Sequence, residues 1–367
     1  MRIVTRYLLR EFIRPFLVCL FSFDAIFLVF DLFDNVSKFI GTGLPASRIL
    51  QYYGCLIASY SHWFAPASLM LATLYSMWTL SRNSEITAMR ASGISFTRLS
   101  MPFLVVSVLV AGLQALNAEF LVPEAASWAS RMKEAKFDPA RVASDPHANF
   151  QFVATTGRRQ WFFNDIDLAD AATASSVTGA VSVLQEGPDG SPSWKVTANG
   201  ARFLDGEWWF LKPRVNHYDI DDGELPSRDV ELGMPSWVRM AHLEERPRDI
   251  VLFVRDWDNY SVRDMRRSLQ TTGIDSRSHR FDILYRFAAP WACVVITLFA
   301  VPAGLTTARQ SIASGIITAL AAFFGFYAMT HFCTFLGERG TLPAVVAAWL
   351  PNVVFLVAGI VNFRRLS

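Results

Sequence analysis

The segment Ser84-Glu85-Ile86-Thr87-Ala88-Met89-Arg90-Ala91-Ser92-Gly93-Ile94-Ser95 lies between two long apolar runs and carries the start and stop signals of a short helix. Asn83 is placed to act as the N-cap, and Glu85 then falls in the first turn, where a carboxylate meets the positive end of the helix dipole. Gly93 is placed to end the helix. At 1.5 Å per residue the helix is roughly 14 Å long, too short to cross a bilayer. We therefore expect it in a loop at the membrane surface.

The composition of the chain is that of a membrane protein. It has 367 residues, of which 52% are hydrophobic and 18% are charged, and this is apolar for a chain of its length. Six apolar runs are about as long as a membrane span or longer, at residues 16–33, 49–80, 103–121, 284–301, 312–336 and 344–363. They predict an α-helical membrane protein with six transmembrane helices in a three-plus-three arrangement. The first run contains Asp24 and is followed by no cleavage pattern, which favours a retained helix over a signal peptide.

The middle of the chain has a different composition. From about residue 125 to 280 it is polar and has repeated strand-turn-strand patterns, and Pro123 is expected to close the third span just before it. In the clearest pattern, Asp205-Gly206 lies between two β-prone runs, as a type I′ turn requires. We predict an inserted all-β sandwich or jellyroll-like domain of roughly 110 residues, followed by a helical linker at 261–269. The predicted domains are 1–124 (spans one to three with the 84–95 helix), 125–280 (β domain and linker) and 281–367 (spans four to six).

The distribution of basic residues predicts the orientation. With six spans, one side carries ten arginines: Arg2, Arg6, Arg10, Arg14, Arg82, Arg90, Arg98, Arg309, Arg364 and Arg365. The short loops on the other side carry Lys38, Arg48 and Arg339. The positive-inside rule then places both termini and the 84–95 helix in the cytoplasm, with the β domain outside, which is the periplasm in a bacterium with two membranes.

Several classes of function have no support in the sequence. No phosphate-binding G-x-x-x-x-G-K-[ST] loop and no G-x-S-x-G elbow occurs, so neither an NTPase nor a serine hydrolase is indicated. The histidines have no metal-ligand spacing, and the arginines follow the membrane side instead of forming a nucleic-acid-binding face. We therefore expect no cofactor, no metal and no nucleic-acid partner. The four cysteines lie in apolar runs and are expected to be thiols buried in helices, at Cys19, Cys55, Cys293 and Cys333.

Three ionisable residues in the apolar runs have no role that the sequence assigns: Asp24, His62 and His331. Ionisable residues inside a membrane are often functional, but a lone His is more often packed or interfacial than a proton carrier. The 84–95 helix is more informative. A short helix at the membrane surface can transmit a conformational change from a soluble motor protein to the neighbouring spans. The alternative is that the 84–95 segment is a plain surface loop.

Three segments together resemble one known family. Ser84-Glu85, Arg90 to Ser95 and Arg98 are similar to the coupling-helix signature of the LptF/LptG family, the transmembrane permease subunits of the lipopolysaccharide exporter. The segments Ala347 to Asn352 and Val301 to Gly304 also resemble that family. So does the order of parts along the whole chain.

The resemblance implies a function and a set of partners. It implies a permease that pairs with a paralogous permease as a heterodimer and binds a dimer of a cytoplasmic ABC ATPase, having no ATPase site of its own. Such a complex extracts lipopolysaccharide from the outer leaflet of the bacterial inner membrane. It then passes the lipid through periplasmic jellyroll domains to membrane-anchored and bridging Lpt components.

The resemblance also implies site residues. The coupling-helix glutamate that engages the ATPase corresponds to Glu85, accompanied by Met89, Arg90 and Gly93. Basic residues at the outer end of the first span contact the phosphorylated head group, and Lys38 is the matching position. Many members have two adjacent lysines there, whereas Ser37 precedes Lys38 here, and a local ion pair of Lys38 with Asp31 and Asp34 is the alternative. The lateral opening of the family implies that the first and fifth spans, 16–33 and 312–336, form its walls.

Two other functions are compatible with the same sequence. One is a permease for a different envelope lipid or a lipoprotein. The other is a membrane-anchored β scaffold that transports nothing, for which six spans and a surface helix would be superfluous. The sequence leaves open which of the two paralogous permeases this is, how many acyl chains the lipid has, and which β edge receives it.

Overall fold

The computed structural model of the chain describes residues 2–134, 137, 146–154, 158–167, 176–187, 191–219, 223–224, 237–240, 243, 245–246, 250, 260–266, 277–306 and 312–364. The chain divides into two compact units. The helical unit comprises Met1–Ser37, Ile49–Ala126 and Ser276–Ser367, and the β unit comprises Lys38–Arg48 and Ser127–Asp275.

The helices follow the apolar runs. In chain order they are α1 (Arg2–Thr42), α2 (Ala46–Arg82), α3 (Glu85–Ala91), α4 (Phe96–Leu116), α5 (Val122–Glu134), α6 (Arg277–Ala288), α7 (Ala292–Thr306), α8 (Ile312–Glu338) and α9 (Ala344–Arg364). A π-helical turn, Asn117–Leu121, joins α4 to α5, and a 3-10 turn, Ala289–Trp291, joins α6 to α7. Residues 262–266 form a further helical turn, which Ser261 caps by accepting the Asp264 N–H at 3.1 Å.

Five of the six predicted spans are confirmed as helices long and apolar enough to cross a membrane. In the described part of the chain these are Ile3–Thr42, Phe96–Lys133, Arg280–Gly304, Ile316–Glu338 and Ala344–Arg364. The remaining predicted span is α2, a continuous helix of 37 residues. It is not in this set because serine, threonine, tyrosine and tryptophan residues recur along its whole length and lower its mean hydropathy.

The expectation that Pro123 closes the third span is wrong. The helix continues through it to Glu134. A proline inside a helix cannot donate to the carbonyl four residues earlier, and its ring clashes with that carbonyl. The π-helical turn lies immediately before Pro123 and widens the backbone there, so the chain passes the proline without ending the helix.

The largest cluster of the helical unit joins several helices around fully buried aromatic rings. The Phe12 ring of α1 meets the Phe103 ring of α4 edge to face, with centroids 4.9 Å apart. Leu69 of α2 and Val301 of α7 belong to the same cluster, and both are 0% exposed. This packing fixes the first helices of the chain against the later ones.

The inserted region is antiparallel β structure, as predicted. Its strands are β1 (Pro146–Ala154), β2 (Arg159–Asp167), β3 (Ser176–Glu186), β4 (Pro192–Leu204), β5 (Glu207–Leu211), β6 (Arg214–Asp219), β7 (Gly223–Glu224) and β8 (Trp237–Met240). They form one sheet in the order β1-β2-β3-β4-β5-β8, and β6 pairs with β4 and β7. On the side away from β3, residues 201–204 of β4 pair with β5, and residues 194–197 pair with β6. One edge of β4 therefore pairs with two different strands, β5 near its end and β6 near its start. The two-sheet closure of a jellyroll stays a prediction.

The predicted hairpin at Asp205-Gly206 is confirmed. Leu204 pairs with Glu207 across it, and the φ angles of 53° at Asp205 and 82° at Gly206 are those of a type I′ turn. The β1–β2 and β3–β4 pairs are also antiparallel hairpin partners. The segments that join their strands, at 155–157 and 188–190, lie outside the described residues.

One face of the sheet carries an aromatic core. The Trp161 and Trp208 rings have centroids 5.0 Å apart, and their side chains are 0% and 1% exposed. The Trp208 indole N–H donates to the Glu245 carbonyl at 2.6 Å, and the Glu245 carboxylate accepts from Arg159 at 3.0 Å. The β unit thus has a core of its own, with an ion pair at its edge.

Candidate coupling site and membrane cavity

Two residues connect α2 to α3, and their conformation differs from the prediction. Asn83 does not cap α3, because its own N–H still bonds to the Thr79 carbonyl at 3.0 Å, in the last turn of α2. Ser84 occupies the N-cap position with φ 60° and makes no side-chain capping bond. Its carbonyl accepts the first bond of α3, from the Ala88 N–H at 2.9 Å. The left-handed Ser84 turns the chain sharply, so α3 begins almost as soon as α2 ends.

The predicted end of the helix at Gly93 is confirmed. Gly93 has φ +85°, its N–H bonds to the Arg90 carbonyl at 3.0 Å, and the Ile94 N–H bonds to the Met89 carbonyl at 3.1 Å. These two bonds make a Schellman motif, which satisfies carbonyls that the helix leaves open. With seven residues, α3 is about 10 Å long, shorter than the segment predicted from the sequence.

One face of α3 is packed and the other is open. Ile86 is 5% exposed and lies in the same cluster as Leu8 of α1 and Phe96 of α4. Met89 is half-buried and packs against this cluster. The residues Thr87, Ala88, Arg90 and Ala91 are exposed. Of the four residues predicted at this site, Met89 therefore anchors the helix and Arg90 is available to a partner.

Glu85 lies at the boundary between these two faces. Its side chain is half-buried. The Asn83 side-chain amide donates to Oε1 of Glu85 at 3.4 Å, a long and weak bond.

A large apolar cavity lies between α1, α2 and α8. Its volume is about 760 Å³, and its lining residues are Glu11, Arg14, Pro15, Val18, Cys19, Leu71, Leu74, Tyr75, Trp78 and Ile316. This volume is in the range of small-molecule and lipid pockets. Trp78 lies one turn before the end of α2, so the cavity is at the end of the bundle that carries α3. Among the described lining residues, the charged ones are Glu11 and Arg14.

A proline in α1 accounts for a hydrogen bond between α1 and α2 beside this cavity. Pro15 has no N–H, so the Glu11 carbonyl four residues earlier lacks its helical donor. The Ser76 hydroxyl of α2 donates to that carbonyl at 3.0 Å, and Ser76 is 0% exposed. A side chain of one helix therefore replaces the bond that the other helix cannot make.

Lys38, the predicted head-group residue, is in the last turns of α1 and is exposed. Its carbonyl accepts a hydrogen bond from the Thr42 hydroxyl at 2.9 Å. Lys38 belongs to the β unit, whereas Glu85, Met89, Arg90 and Gly93 belong to the helical unit.

A polar network between α2 and α4 is not predicted from the sequence. Asn117, the first residue of the π-helical turn, donates to the Ala58 carbonyl at 2.8 Å and to the Ser61 hydroxyl at 2.9 Å. The Ser61 hydroxyl donates to the Gln114 side-chain oxygen at 3.1 Å. A polar residue in a span, six positions before a proline, is the signal that could have indicated it.

The three ionisable residues without an assigned role occupy different surroundings. Asp24 is 8% exposed, and among the described residues no hydrogen-bond partner reaches its Oδ1. His331 of α8 stacks on Trp63 of α2, with centroids 6.0 Å apart. His62 is exposed, and its Nδ1 lies 2.8 Å from the Ser59 carbonyl. The three do not form one site.

The two C-terminal motifs have structural roles in the helical unit. At Gly304 a Cβ atom would lie 2.5 Å from the Cβ of Met77, so α7 and α2 approach more closely than any side chain there would allow. The Asn352 amide of α9 donates to the Ala288 carbonyl at 2.9 Å, at the break between α6 and α7. Both motifs hold spans together.

These features define a class of protein. A bundle of membrane helices, a short surface helix tied to the first span, and an antiparallel sheet inserted between two sets of helices make up a polytopic membrane transport subunit. The family model for the lipopolysaccharide export system permease LptF/LptG matches residues 6–365. The chain therefore belongs to the LptF/LptG family and is a lipopolysaccharide export permease, a multi-pass protein of the inner membrane.

Curated relatives agree with this family. The chain is similar to the lipopolysaccharide export system permease protein LptF of Escherichia coli strain K12 and to that of Shigella flexneri. Each is 24% identical over 377 residues, which cover 98% of this chain and 94% of the relative. The similarity thus includes both the helical and the β unit.

Proposed function

We propose that this permease couples ATP hydrolysis by a separate cytoplasmic ABC ATPase dimer to the extraction of lipopolysaccharide. It has no ATPase site of its own and works as a heterodimer with a paralogous permease, in which it takes the LptF position. Both termini and α3 lie in the cytoplasm. The β unit lies in the periplasm and passes the lipid to membrane-anchored and bridging Lpt components.

The observation that carries the proposal is the attachment of α3. Its buried residue Ile86 belongs to the cluster that holds Leu8 and Phe12 of α1 and Phe96 of α4. Close-packed cores have low compressibility and transmit strain. A force applied to the exposed face of α3 therefore reaches the first and third spans directly, which a plain surface loop would not achieve.

The predicted site residues divide into two roles in this proposal. Glu85 and the exposed Arg90 contact the ATPase, with the carboxylate receiving a basic group of the partner. Met89 anchors α3 in the bundle, and Gly93 lets the chain turn from α3 into α4. The small exposed residues Thr87, Ala88 and Ala91 allow the partner a close approach.

The cavity supports a lateral opening between the first and fifth spans. Its lining comes from α1 and α8, the helices that contain the two predicted walls, as well as from α2. Helices that leave such a volume between them are not locked by side-chain packing and can separate.

Lys38 is the proposed contact for the phosphorylated head group. Its exposure and its place near the end of α1 support this role. An ammonium group is a compact charge that binds phosphate without demanding a fixed geometry. A local ion pair with Asp31 and Asp34 remains the competing role.

Affinity purification from the native envelope tests the proposal. The tagged chain is extracted in mild detergent, and mass spectrometry identifies the bound proteins and lipids. We expect a homologous permease, an ABC ATPase and lipopolysaccharide. Glu85→Arg should lose the ATPase while it keeps the permease partner, and Lys38→Glu should reduce head-group crosslinking to this subunit.

The outcomes separate the competing functions. Recovery of a different lipid or a lipoprotein with the ATPase would indicate a permease of another exporter. A folded, monodisperse protein that brings down no ATPase would support the membrane-anchored scaffold. Retention of the ATPase and of full transport by Glu85→Arg would remove Glu85 from the coupling site.

A further inference from the structure

The cavity between α1, α2 and α8 extends over one leaflet of the membrane. Its lining runs from Glu11 to Cys19 along α1 and from Leu71 to Trp78 along α2. The longer of these stretches rises about 12 Å, and one leaflet of the hydrocarbon core is about 15 Å thick. Trp78 lies one turn before Arg82, the last residue of α2, so the leaflet is the one on the α3 side of the bundle.

The charges around this cavity have a positive surplus. Arg14 is one of the lining residues and is exposed. The Arg82 guanidinium lies over the ring of Trp78, another lining residue, with its Cζ 5.2 Å from the ring centroid. Arg10 lies one turn before Arg14 on α1 and is also exposed. Glu11 contributes a carboxylate to the lining, so the three guanidinium groups leave a net positive charge.

Side-chain direction brings two of these guanidinium groups toward the same level of the membrane. A Cα–Cβ bond points toward the N-terminus of its helix. Arg14 on α1 therefore leans toward the membrane surface, whereas Arg82 leans back from the end of α2 over Trp78. Trp rings collect at the boundary between hydrocarbon and head groups, and long Arg side chains reach it from inside the membrane. The phosphate of a phospholipid lies at this boundary.

We propose that the cavity binds an anionic phospholipid of the cytoplasmic leaflet, with an acyl chain between α1, α2 and α8 and its phosphate on Arg14 and Arg82. Basic pockets between transmembrane helices on the cytoplasmic side bind anionic lipid head groups in this way. A guanidinium group can donate parallel hydrogen bonds to a phosphate. The inference rests on the orientation in the proposed function, which places the N-terminus of α1 in the cytoplasm.

The bound phospholipid is distinct from the transported lipid because the two belong to different leaflets. Lipopolysaccharide is expected in the outer leaflet, whereas this cavity lies on the other side of the bilayer midplane. Apolar side chains from all three helices, Val18, Leu71 and Ile316, line the space for the acyl chain. The phospholipid joins α1 to α8 without interlocked side chains, so the two spans stay able to separate.

Native mass spectrometry of the complete complex tests the head-group contacts. The permease pair with its ATPase is delipidated in detergent, and phosphatidylglycerol is added back at increasing concentrations. We expect a tight phosphatidylglycerol site that Arg14→Ala combined with Arg82→Ala weakens about tenfold or more. Arg364→Ala is the matched control: Arg364 is an exposed arginine at the end of α9, outside the cavity lining, and its loss should leave the affinity unchanged.

A second pair of variants tests the place of the acyl chain. Val18→Trp fills the cavity from α1 and leaves every charge in place. Val108→Trp puts the same ring on α4, where the valine is 50% exposed and lies outside the cavity lining. Val18→Trp should abolish the tight site, and Val108→Trp should keep it.

Three results would overturn the proposal: equal affinity for zwitterionic phosphatidylethanolamine, unchanged affinity in the arginine variant, or displacement of the phosphatidylglycerol by lipopolysaccharide. If any of these occurs while the ATPase still co-purifies and the complex still transports, the proposed function stands and the phospholipid site does not. An N-terminal tag that is accessible only from the periplasmic side would instead overturn the proposed orientation, and the inference with it.

Discussion

The helical unit and the β unit place their large apolar side chains in opposite ways. Residues such as Phe30, Leu113 and Phe324 point outward from the spans, with 64% to 70% of their surface exposed. On the described strands only Phe162 and Leu204 are large, apolar and exposed, at 37% and 47%. The solvent explains the difference: lipid surrounds the spans, whereas water surrounds the sheet.

This contrast changes what holds each unit together. In water, burial of aromatic surface stabilises the β unit directly. In lipid, apolar side chains gain little free energy by leaving the bilayer. Close packing and hydrogen bonds between helices must therefore supply more of the stability. The helical unit accordingly has Gly304 against Met77 and side-chain donors to carbonyls of other helices at Glu11, Ala58 and Ala288. The contrast can be tested with one kind of substitution in each unit.

The largest effect is expected from Trp208→Ala in the β unit. The substitution removes a 1%-exposed ring that packs on Trp161 and a bond to the Glu245 carbonyl. Loss of such a side chain costs about 3–5 kcal/mol in the free energy of unfolding. Hydrogen exchange of the strands in the full-length protein, in detergent, measures it.

The control for Trp208→Ala is Phe162→Ala. Phe162 lies on the face of β2 opposite to Trp161, the residue that packs on Trp208. Its side chain is partly exposed, and its loss should change the free energy by about 0.5 kcal/mol or less. Equal protection losses in the two variants would mean that the sheet does not have one aqueous and one packed face.

An intermediate effect is expected from Gly304→Val in the helical unit. The new Cβ would lie 2.5 Å from the Cβ of Met77, so α7 and α2 must move apart. Overpacking of this kind costs about 1–3 kcal/mol, and it should lower the thermal unfolding temperature of the protein in detergent. Gly112→Val is the matched control, since no atom lies within 4 Å of a Cβ at that position. Equal stability of the two variants would contradict the importance of close packing.

Sequence reasoning succeeded where the signal is local. The spans follow from apolar length, the hairpin at Asp205-Gly206 from two consecutive residues that tolerate positive φ, and the end of α3 from Gly93. Two local rules failed because neighbouring structure overrode them. Asn83 is still part of the last turn of α2, and the π-helical turn lets the helix pass Pro123.

Contacts between distant residues could not be predicted from one sequence. Ile86 of α3 is buried in one cluster with Leu8 of α1, and the carbonyl left open by Pro15 is satisfied by Ser76 of another helix. Nothing near either pair in the sequence identifies its partner. The residues of the candidate coupling site could be predicted from the sequence. Only the packing of α3 in the structure shows that Met89 anchors the helix and that Arg90 is exposed.

The smallest effect is expected from Ser76→Ala, which leaves the Glu11 carbonyl without its donor. Because hydrogen bonds between helices in membranes contribute modestly, we expect a loss of about 1 kcal/mol in the free energy of unfolding. Ser22→Ala is the control: its hydroxyl bonds within its own helix to the Val18 carbonyl, and its loss should be close to neutral.

The reason for the Ser76 bond can be tested by restoring the missing donor. Pro15→Ala returns a backbone N–H to α1, which can bond to the Glu11 carbonyl in the ordinary helical manner. In that background Ser76→Ala should lose its effect, so the two substitutions should be non-additive in thermal unfolding in detergent. Additive losses would mean that Ser76 stabilises the helix pair by packing alone. The helical unit would then resemble the β unit in relying on buried contact, and the contrast drawn from the two solvents would not hold at this site.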